Sequence, residues 1–302
     1  MSAIWLLSTR GRPVACQGVL DACEATGMSS PGVVYVDESV DLYRDLRLPE
    51  NWSIHFEREW GSLQASLQWC LREYPDASQY GWLADDTYPR TEGWDKALEQ
   101  AAGDWCLSYA KDLWLSEQTG SLAALKYGDD LSSGLCWGGE LIRTVGWWAL
   151  PGVRQAGIDT AWTAIISPLF LGRYVDDVTV EHKNYRTGKR EEDSVDDWTR
   201  DGVDYIADDI AVRDRWVASK DYRDTLERVV SSARVNLNKT QMDRMRQKAS
   251  DNYVNHFWAP SMPGVRLTNA LERINSDLDE LVRALLARHP HLVHSDPDLE
   301  QA

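Results

Sequence analysis

Basic charge, paired cysteines and long apolar runs are all scarce in this sequence, and each scarcity excludes something. Lysine and arginine number 32 against 48 aspartates and glutamates, a formal net charge of −16. So acidic a chain repels phosphate backbones on average, and any nucleic-acid binding has to come from a local basic patch. No apolar run approaches the roughly 18 residues that cross a bilayer. The N-terminal apolar stretch is short and lacks the basic start of a signal peptide. The expectation is a chain without a membrane span, in the cytoplasm. The five cysteines (Cys16, Cys23, Cys70, Cys106 and Cys136) form no Cys-x-x-Cys pair and are odd in number. That argues against a disulfide framework or a structural zinc site and fits a reducing compartment. No Gly-Lys-Ser/Thr follows Gly11, so the first loop is not a P-loop.

Tryptophan, by contrast, is abundant: 15 Trp stand against 3 Phe. Its broad apolar face and single N–H donor suit a core or the rim of a site that holds a sugar or a base. For any one Trp the core is the expected place. With 43% apolar residues in a chain of 302, there is material for one large domain with an extension, or for two modest domains.

Strand and helix signals alternate through the first half. Residues 3–8, 32–36, 53–56, 79–84 and 104–109 read as strands. Residues 13–26, 40–46, 60–73 and 93–101 read as helices, the first with proline in its opening turn and Gly27 as its stop. Further on, 128–139 reads as a Gly/Ser/Asp-rich loop, 140–148 and 160–170 as helices, and 173–181 as a strand. Residues 188–201 are densely charged, and 203–235, 240–257 and 267–288 carry helical patterns. The pattern predicts an α/β fold: a mixed, parallel-rich sheet with helices on both faces over residues 1–190, then a helical extension over 191–302. Such sheets bind ligands at the carboxyl ends of their strands.

Two of those ends carry reactive groups. The strand Gly81-Trp82-Leu83-Ala84 runs into Asp85-Asp86. Paired carboxylates are hard oxygen ligands suited to Mg²⁺ or Mn²⁺, with substrate phosphates completing the shell. Asp-Asp recurs at 129, 176, 196 and 208, where it reads as turns or solvated helix faces; only Asp85-Asp86 follows an apolar strand. Ser8-Thr9-Arg10-Gly11-Arg12-Pro13 follows the first strand and opens a helix. Arginine forks and helix N-termini bind phosphate or a base edge there, or the segment is a surface turn. His182 either completes a metal site with a carboxylate or is structural. Lys183, Arg186 and Lys189 either hold a diphosphate or form a solvated basic turn. Asp159, ahead of a helical pattern, is either a capping residue or a general base.

Together these segments resemble the GT-A-fold glycosyltransferases, in particular family 2-like enzymes of bacteriophages. The resemblance covers about residues 1–190 and rests on Ser8-Thr9-Arg10-Gly11-Arg12-Pro13, Gly81 to Asp86, Pro89-Arg90 with Gly93-Trp94-Asp95, Gly138-Gly139-Glu140 with Gly146 to Gly152, Asp159-Thr160 and Glu181-His182. It implies a metal-dependent, inverting transfer of sugar from a nucleotide-diphosphate sugar, by family default a UDP-sugar, to an acceptor hydroxyl. Ser8, Thr9, Arg10 and Arg12 would hold the nucleotide, and Asp37 the base or ribose. Trp82, Asp85, Gly139, Glu140, Lys183 and Arg186 would belong to the donor site. Asp85 and Asp86 would be the metal pair, with Asp86 favoured, although the spacing of Asp-x-Asp is missing. His182 would complete the shell around Mn²⁺ or Mg²⁺. Asp159 would be the catalytic base, with Ile158 where the family's Glu-Asp pair has Glu.

Phage relatives suggest three acceptors: a 5-hydroxymethyl pyrimidine in DNA (in the host cytoplasm), a cell-wall glycan, or a protein. Lys220, Arg223, Arg228, Arg234, Lys239, Arg244, Arg246 and Lys248 either form a basic patch for DNA or pair with their acidic neighbours. Two rival readings remain. A sugar-phosphate nucleotidyltransferase would carry a longer Gly-rich loop with a lysine. A non-catalytic glycan- or nucleic-acid-binding protein would keep the cleft without turnover.

Overall fold

The computed structural model describes residues 2–37, 40–57, 61–113, 134–169, 171–183 and 203–233. In chain order the first elements are β1 (Ile4–Thr9), α1 (Pro13–Ala25), β2 (Gly32–Asp37), a 3-10 turn (Val40–Tyr43), β3 (Trp52–Glu57) and α2 (Leu63–Glu73). Next come β4 (Gln79–Ala84), β5 (Thr87–Pro89), α3 (Trp94–Ala102), β6 (Leu107–Asp112) and β7 (Leu135–Gly138). The remainder are α4 (Gly139–Val145), α5 (Ile158–Leu169), β8 (Gly172–His182), α6 (Val203–Val217) and α7 (Lys220–Ala233).

The eight strands form one sheet in the order β3-β2-β1-β4-β7-β6-β8-β5. β1 to β4 run parallel to one another, β7 runs against its neighbours β4 and β6, and β8 is parallel to β6. Ile4 to Leu7 of β1 are buried in succession, as a central strand covered on both faces requires. On one face α1 and α3 pack Cys16, Val19, Leu20, Trp94 and Leu98 against Trp5, Leu7, Val34, Val36 and Leu83. Cys16, Val19, Leu20 and Cys23 form the i, i+3, i+4, i+7 stripe that makes α1 a core helix. On the other face α2 starts at Ser62, whose hydroxyl accepts from the Ala65 amide at 3.1 Å, a side-chain N-cap.

Among the described residues tryptophan is chiefly core. Trp5, Trp94, Trp137, Trp148 and Trp162 are fully buried. Trp5 meets Trp94 edge-on at 4.5 Å, and Trp148 sits 5.5 Å from Trp137 and 5.3 Å from Tyr80.

The sheet departs from the sequence expectation in three places. Residues 135–138 are not loop: Leu135-Cys136-Trp137-Gly138 is a wholly buried strand. Its flanking glycines mask two large apolar side chains and a thiol, too short a run to register. The strand expected at 104–109 lies at 107–112, and β5 was not anticipated. The single helix expected over 203–235 is two helices, because Ser219 restarts the chain: its hydroxyl accepts from the Tyr222 amide at 3.3 Å. The helices expected at 240–257 and 267–288 and the charged stretch 188–201 lie outside the described residues.

Contacts divide the chain into two compact units, Met1–Trp162 with Leu171–Asp214, and Thr163–Phe170 with Arg215–Ala302. The first holds the sheet. In the second, α7 buries Thr225, Leu226, Val229 and Val230, and the Tyr222 hydroxyl donates to the Ala164 carbonyl at 2.8 Å. Among the described residues no helix is long and apolar enough to cross a membrane. All five cysteines are free, and only Cys106 is not buried.

Candidate active site

The carboxyl edge of the sheet is set by register. Ser8 pairs with Ala84, so Thr9 at the end of β1 lies level with Asp85. The chain then turns into β5, which runs antiparallel to β8 with Thr87 opposite His182. Since β8 is parallel to β6, Asp112 at the end of β6 reaches the same edge. Four strand ends thus bring Thr9, Asp85-Asp86, Asp112 and His182 together.

Asp85 is 7% exposed. The Thr9 hydroxyl donates to its Oδ2 at 2.9 Å, and Arg12 Nη1 lies 3.4 Å from its Oδ1. Having given its only proton to the carboxylate, Thr9 must accept from the Tyr43 hydroxyl, 2.7 Å away. The Arg12 amide donates to the Tyr43 oxygen at 2.9 Å. The result is a relay of aligned donors from the start of α1 to Asp85. Burial, and then the neighbouring Asp86 charge, push the Asp85 carboxyl up to about 6; Arg12 and Thr9 oppose the rise.

That rise has a direction in pH. The folded state holds the Asp85 proton more tightly than the unfolded chain, so the ionised group lowers stability as pH rises from about 4 through about 6, and the loss levels off above. Asp85→Asn should therefore be more stable than the parent at pH 7.5 without metal. The gain should reach up to about 3 kcal/mol, since each tenfold difference in proton affinity between the two states is worth about 1.4 kcal/mol. The gap should close near pH 4. Urea titration across pH 4–8 measures it; an Asp85→Asn protein less stable than the parent at pH 7.5 would mean that burial does not disfavour the ionised carboxylate.

Asp86 has a different partner. His182 Nε2 is 3.2 Å from its Oδ2, and His182 Nδ1 is 3.9 Å from the buried Asp112 Oδ2. The imidazole thus stands between two carboxylates. The Lys183 amide donates to the Asp86 carbonyl at 2.8 Å, and Lys183 Nζ sits 3.9 Å from the centre of the Tyr88 ring, a cation–π contact.

Do these residues suit Mn²⁺ or Mg²⁺? Among the described residues no group of three or more His, Cys, Asp or Glu side chains is placed to hold a metal ion. An all-protein cage is not what these ions use beside phosphate: one or two carboxylates suffice, and substrate oxygens supply the rest. The 3.2 Å between Asp86 Oδ2 and His182 Nε2 is close to the about 3.0 Å separating adjacent corners of an octahedron with bonds of about 2.1 Å. Asp112, 3.9 Å from His182 Nδ1, places a second carboxylate on the far side of the imidazole, beyond direct hydrogen-bond distance. The donor set fits either ion.

The other expected residues fall in several places. Arg10 is half-buried in the turn after β1. Asp37 ends β2 beside Glu57, on the same edge. Ser8 faces α2, with its hydroxyl 2.9 Å from that of Ser66. Trp82 is half-buried in β4, and its indole N–H is buried without a hydrogen-bond partner. Asp159 is exposed in the first turn of α5, where its Oδ1 accepts from the Thr160 amide at 2.8 Å. The loop before it touches the start of α2, the Gln64 amide donating to the Arg154 carbonyl at 3.0 Å, so it reaches the carboxyl edge. Arg186 lies outside the described residues.

Gly139 and Glu140 are not brought to this site. β7 runs antiparallel to β4 and pairs Gly138 with Gln79, the first residue of β4. α4 therefore begins at the amino edge, the opposite end from Asp85. Gly139 is needed there for close approach: a Cβ would lie 2.4 Å from the Ala77 carbonyl oxygen. Glu140 pairs with Arg143 at 2.9 Å. Two site residues escape sequence reasoning, Tyr43 and Asp112. Asp112 had a signal, an acid in an otherwise buried strand, obscured by ending that strand at 109.

The chain is similar to the crystal structure of S. aureus TarS, with 11% identity and a TM-score of 0.50 over 85% of this chain and 44% of that one. It spans less than half the length of that protein. It also matches glucosyl-3-phosphoglycerate synthase from Mycobacterium tuberculosis in complex with Mn²⁺, UDP and glucosyl-3-phosphoglycerate (12% identity, TM-score 0.47, 78% and 80% of the two chains). A third match is GalNAc-T7 with UDP, GalNAc and Mn²⁺ (11%, 0.46, 92% and 54%). No protein-family model and no curated protein sequence matches the chain. What the sheet and the TarS likeness define is a fold: the mixed α/β GT-A type expected from the sequence.

Proposed function

We propose that this chain is a metal-dependent glycosyltransferase that takes a sugar from a nucleoside-diphosphate sugar, UDP first among the nucleotides, and gives it to an acceptor hydroxyl with inversion. The observation that carries the reading is the contact of Asp86 with His182 at one strand edge, beside a buried Asp85 held by Thr9 and Arg12. Residues 1–190 would form the catalytic domain and 191–302 an extension toward the acceptor. The solved structures bound to UDP and Mn²⁺ or Mg²⁺ are in keeping with this choice of ligands.

In this mechanism Arg10, Arg12 and Lys183 would bind the diphosphate, and Asp86 and His182 would hold the cation. When bound, Mn²⁺ or Mg²⁺ supplies stabilisation of the negative charge on the departing diphosphate. Asp159 takes the proton of the acceptor hydroxyl as that oxygen attacks the anomeric carbon. We place a 5-hydroxymethyl pyrimidine in DNA first among acceptors, although Lys220 of the basic stretch already pairs with Asp224 at 2.5 Å. Glycan and protein acceptors are the other arms of the screen.

Thermal-shift measurement against nucleotides and nucleotide sugars, with and without Mn²⁺, tests the donor site. A ligand at about 100 times its Kd adds roughly 2.7 kcal/mol, so UDP or a UDP-sugar should raise Tm by several degrees, and only with metal. Absence of any shift at saturating nucleotide would overturn the reading.

A further inference from the structure

α6 holds the segment that carries Asp159 from both sides. Asp209 is 1% exposed, and its carboxylate accepts three consecutive backbone amides: Arg154 at 3.0 Å, Gln155 at 2.9 Å and Ala156 at 3.0 Å. One helical turn on, Arg213 is 7% exposed, and its Nη1 donates to the Thr160 hydroxyl at 2.8 Å. Residues four apart share a helix face. Asp209 and Arg213 therefore grip residues 154–156 and residue 160, and Asp159 lies between the two grips. Asp208, next in sequence, is exposed.

Between the grips the chain turns sharply. Gly157, with φ of 77°, makes the left-handed turn into α5; a Cβ there would lie 3.8 Å from the Cβ of Arg213, so α6 approaches closely. Thr160 Oγ1 donates in turn to the Gly157 carbonyl at 3.1 Å. A buried carboxylate that takes three amide N–H groups makes charge-assisted bonds, and amides ahead of a helix have no intrahelical acceptor.

We propose that Asp209, backed by Arg213, is a positioning residue: it fixes the 154–160 segment so that Asp159 faces the acceptor hydroxyl, and it acts on turnover through Asp159 without touching donor or metal. The proposal rests on the glycosyltransferase reading and on Asp159 as the base. It makes residues of α6 part of the catalytic apparatus, although α6 lies past residue 190.

The test uses the full chain, Mn²⁺, and the UDP-sugar that gives the largest metal-dependent thermal shift. Release of UDP gives kcat, calorimetry gives the Kd of UDP with Mn²⁺, and amide exchange is followed on the 150–160 peptide. Asp209→Asn should keep the Kd within about twofold, speed exchange of that peptide, and lower kcat at least about tenfold. The double variant Asp159→Asn/Asp209→Asn should be no slower than Asp159→Asn alone, because residues acting as a unit are non-additive. Thr160→Val, which removes the Arg213 anchor together with the Thr160–Gly157 hydrogen bond but leaves Asp209 in place, should show a smaller loss of the same kind, and it serves if Asp209→Asn does not fold. Losses that multiply in the double variant would overturn the proposal, as would an unchanged kcat or a weakened Kd in Asp209→Asn. If Asp159→Asn alone turns over normally, the reading of Asp159 fails, and the positioning role fails with it.

Discussion

Asp86→Ala should leave a folded protein that no longer responds to Mn²⁺ in the presence of UDP. The side chain of Asp86 meets His182 Nε2 at 3.2 Å, whereas its backbone carbonyl accepts the Lys183 amide. The backbone contact survives truncation, so β5 stays in register with β8. Electrostatically the apo protein gains from the change, because the Asp86 charge is one of the two causes that raise Asp85. Metal stabilisation of a leaving diphosphate is worth several kcal/mol. A loss of about 4 kcal/mol corresponds to roughly a thousandfold in kcat/KM. Calorimetry of UDP with and without Mn²⁺ and the rate of UDP release measure the two halves. Metal-dependent transfer near the parent rate would move the metal away from Asp86, leaving Asp85 as the alternative carboxylate.

The edge that carries Asp86 was legible because its information is local. Gln79 to Ala84 is an apolar stretch of strand length, and two acids end it; likewise Pro13 and Gly27 bracket α1. What was not legible depends on which strand lies beside which. Asp112 matters because β6 is the neighbour of β8, a pairing between residues some 70 apart in sequence. Tyr43 matters because a 3-10 turn folds its hydroxyl back onto Thr9 and Arg12. The same cause explains Gly139 and Glu140. If residues 128–139 were loop, the chain could bring Glu140 to the donor edge, but an antiparallel β7 carries it to the other end of β4.

Burial divides residues that the sequence leaves equal. Asp208 and Asp209 form one more Asp-Asp pair of the kind expected on a solvated helix face, and Asp208 is indeed exposed. A rotation of one residue about α6 turns Asp209 inward onto three amides. Tryptophan behaves likewise. Trp137 and Trp148 are fully buried core, whereas Trp82, two positions from the end of β4, is only half-buried. Composition alone ranks all three the same; position relative to the carboxyl edge separates them.

Asp159→Asn should separate binding from chemistry. Asparagine keeps the size of the side chain and a carbonyl oxygen that can accept the Thr160 amide, so α5 should start as before. What it lacks is the capacity to take a proton from an attacking hydroxyl. General base catalysis contributes about 10²–10⁴-fold, so kcat should fall by that factor. The Kd of UDP with Mn²⁺ should not change, because the proposed donor residues Arg12, Asp86, His182 and Lys183 lie on the β1, β4 and β8 side of the edge. An interaction made only in the transition state gives this signature, equal losses in kcat and kcat/KM. A variant that loses nucleotide affinity as much as rate would place Asp159 in the donor pocket instead. One with unchanged transfer would remove it from the mechanism, and the acceptor hydroxyl would then have to be deprotonated by another group at the carboxyl edge.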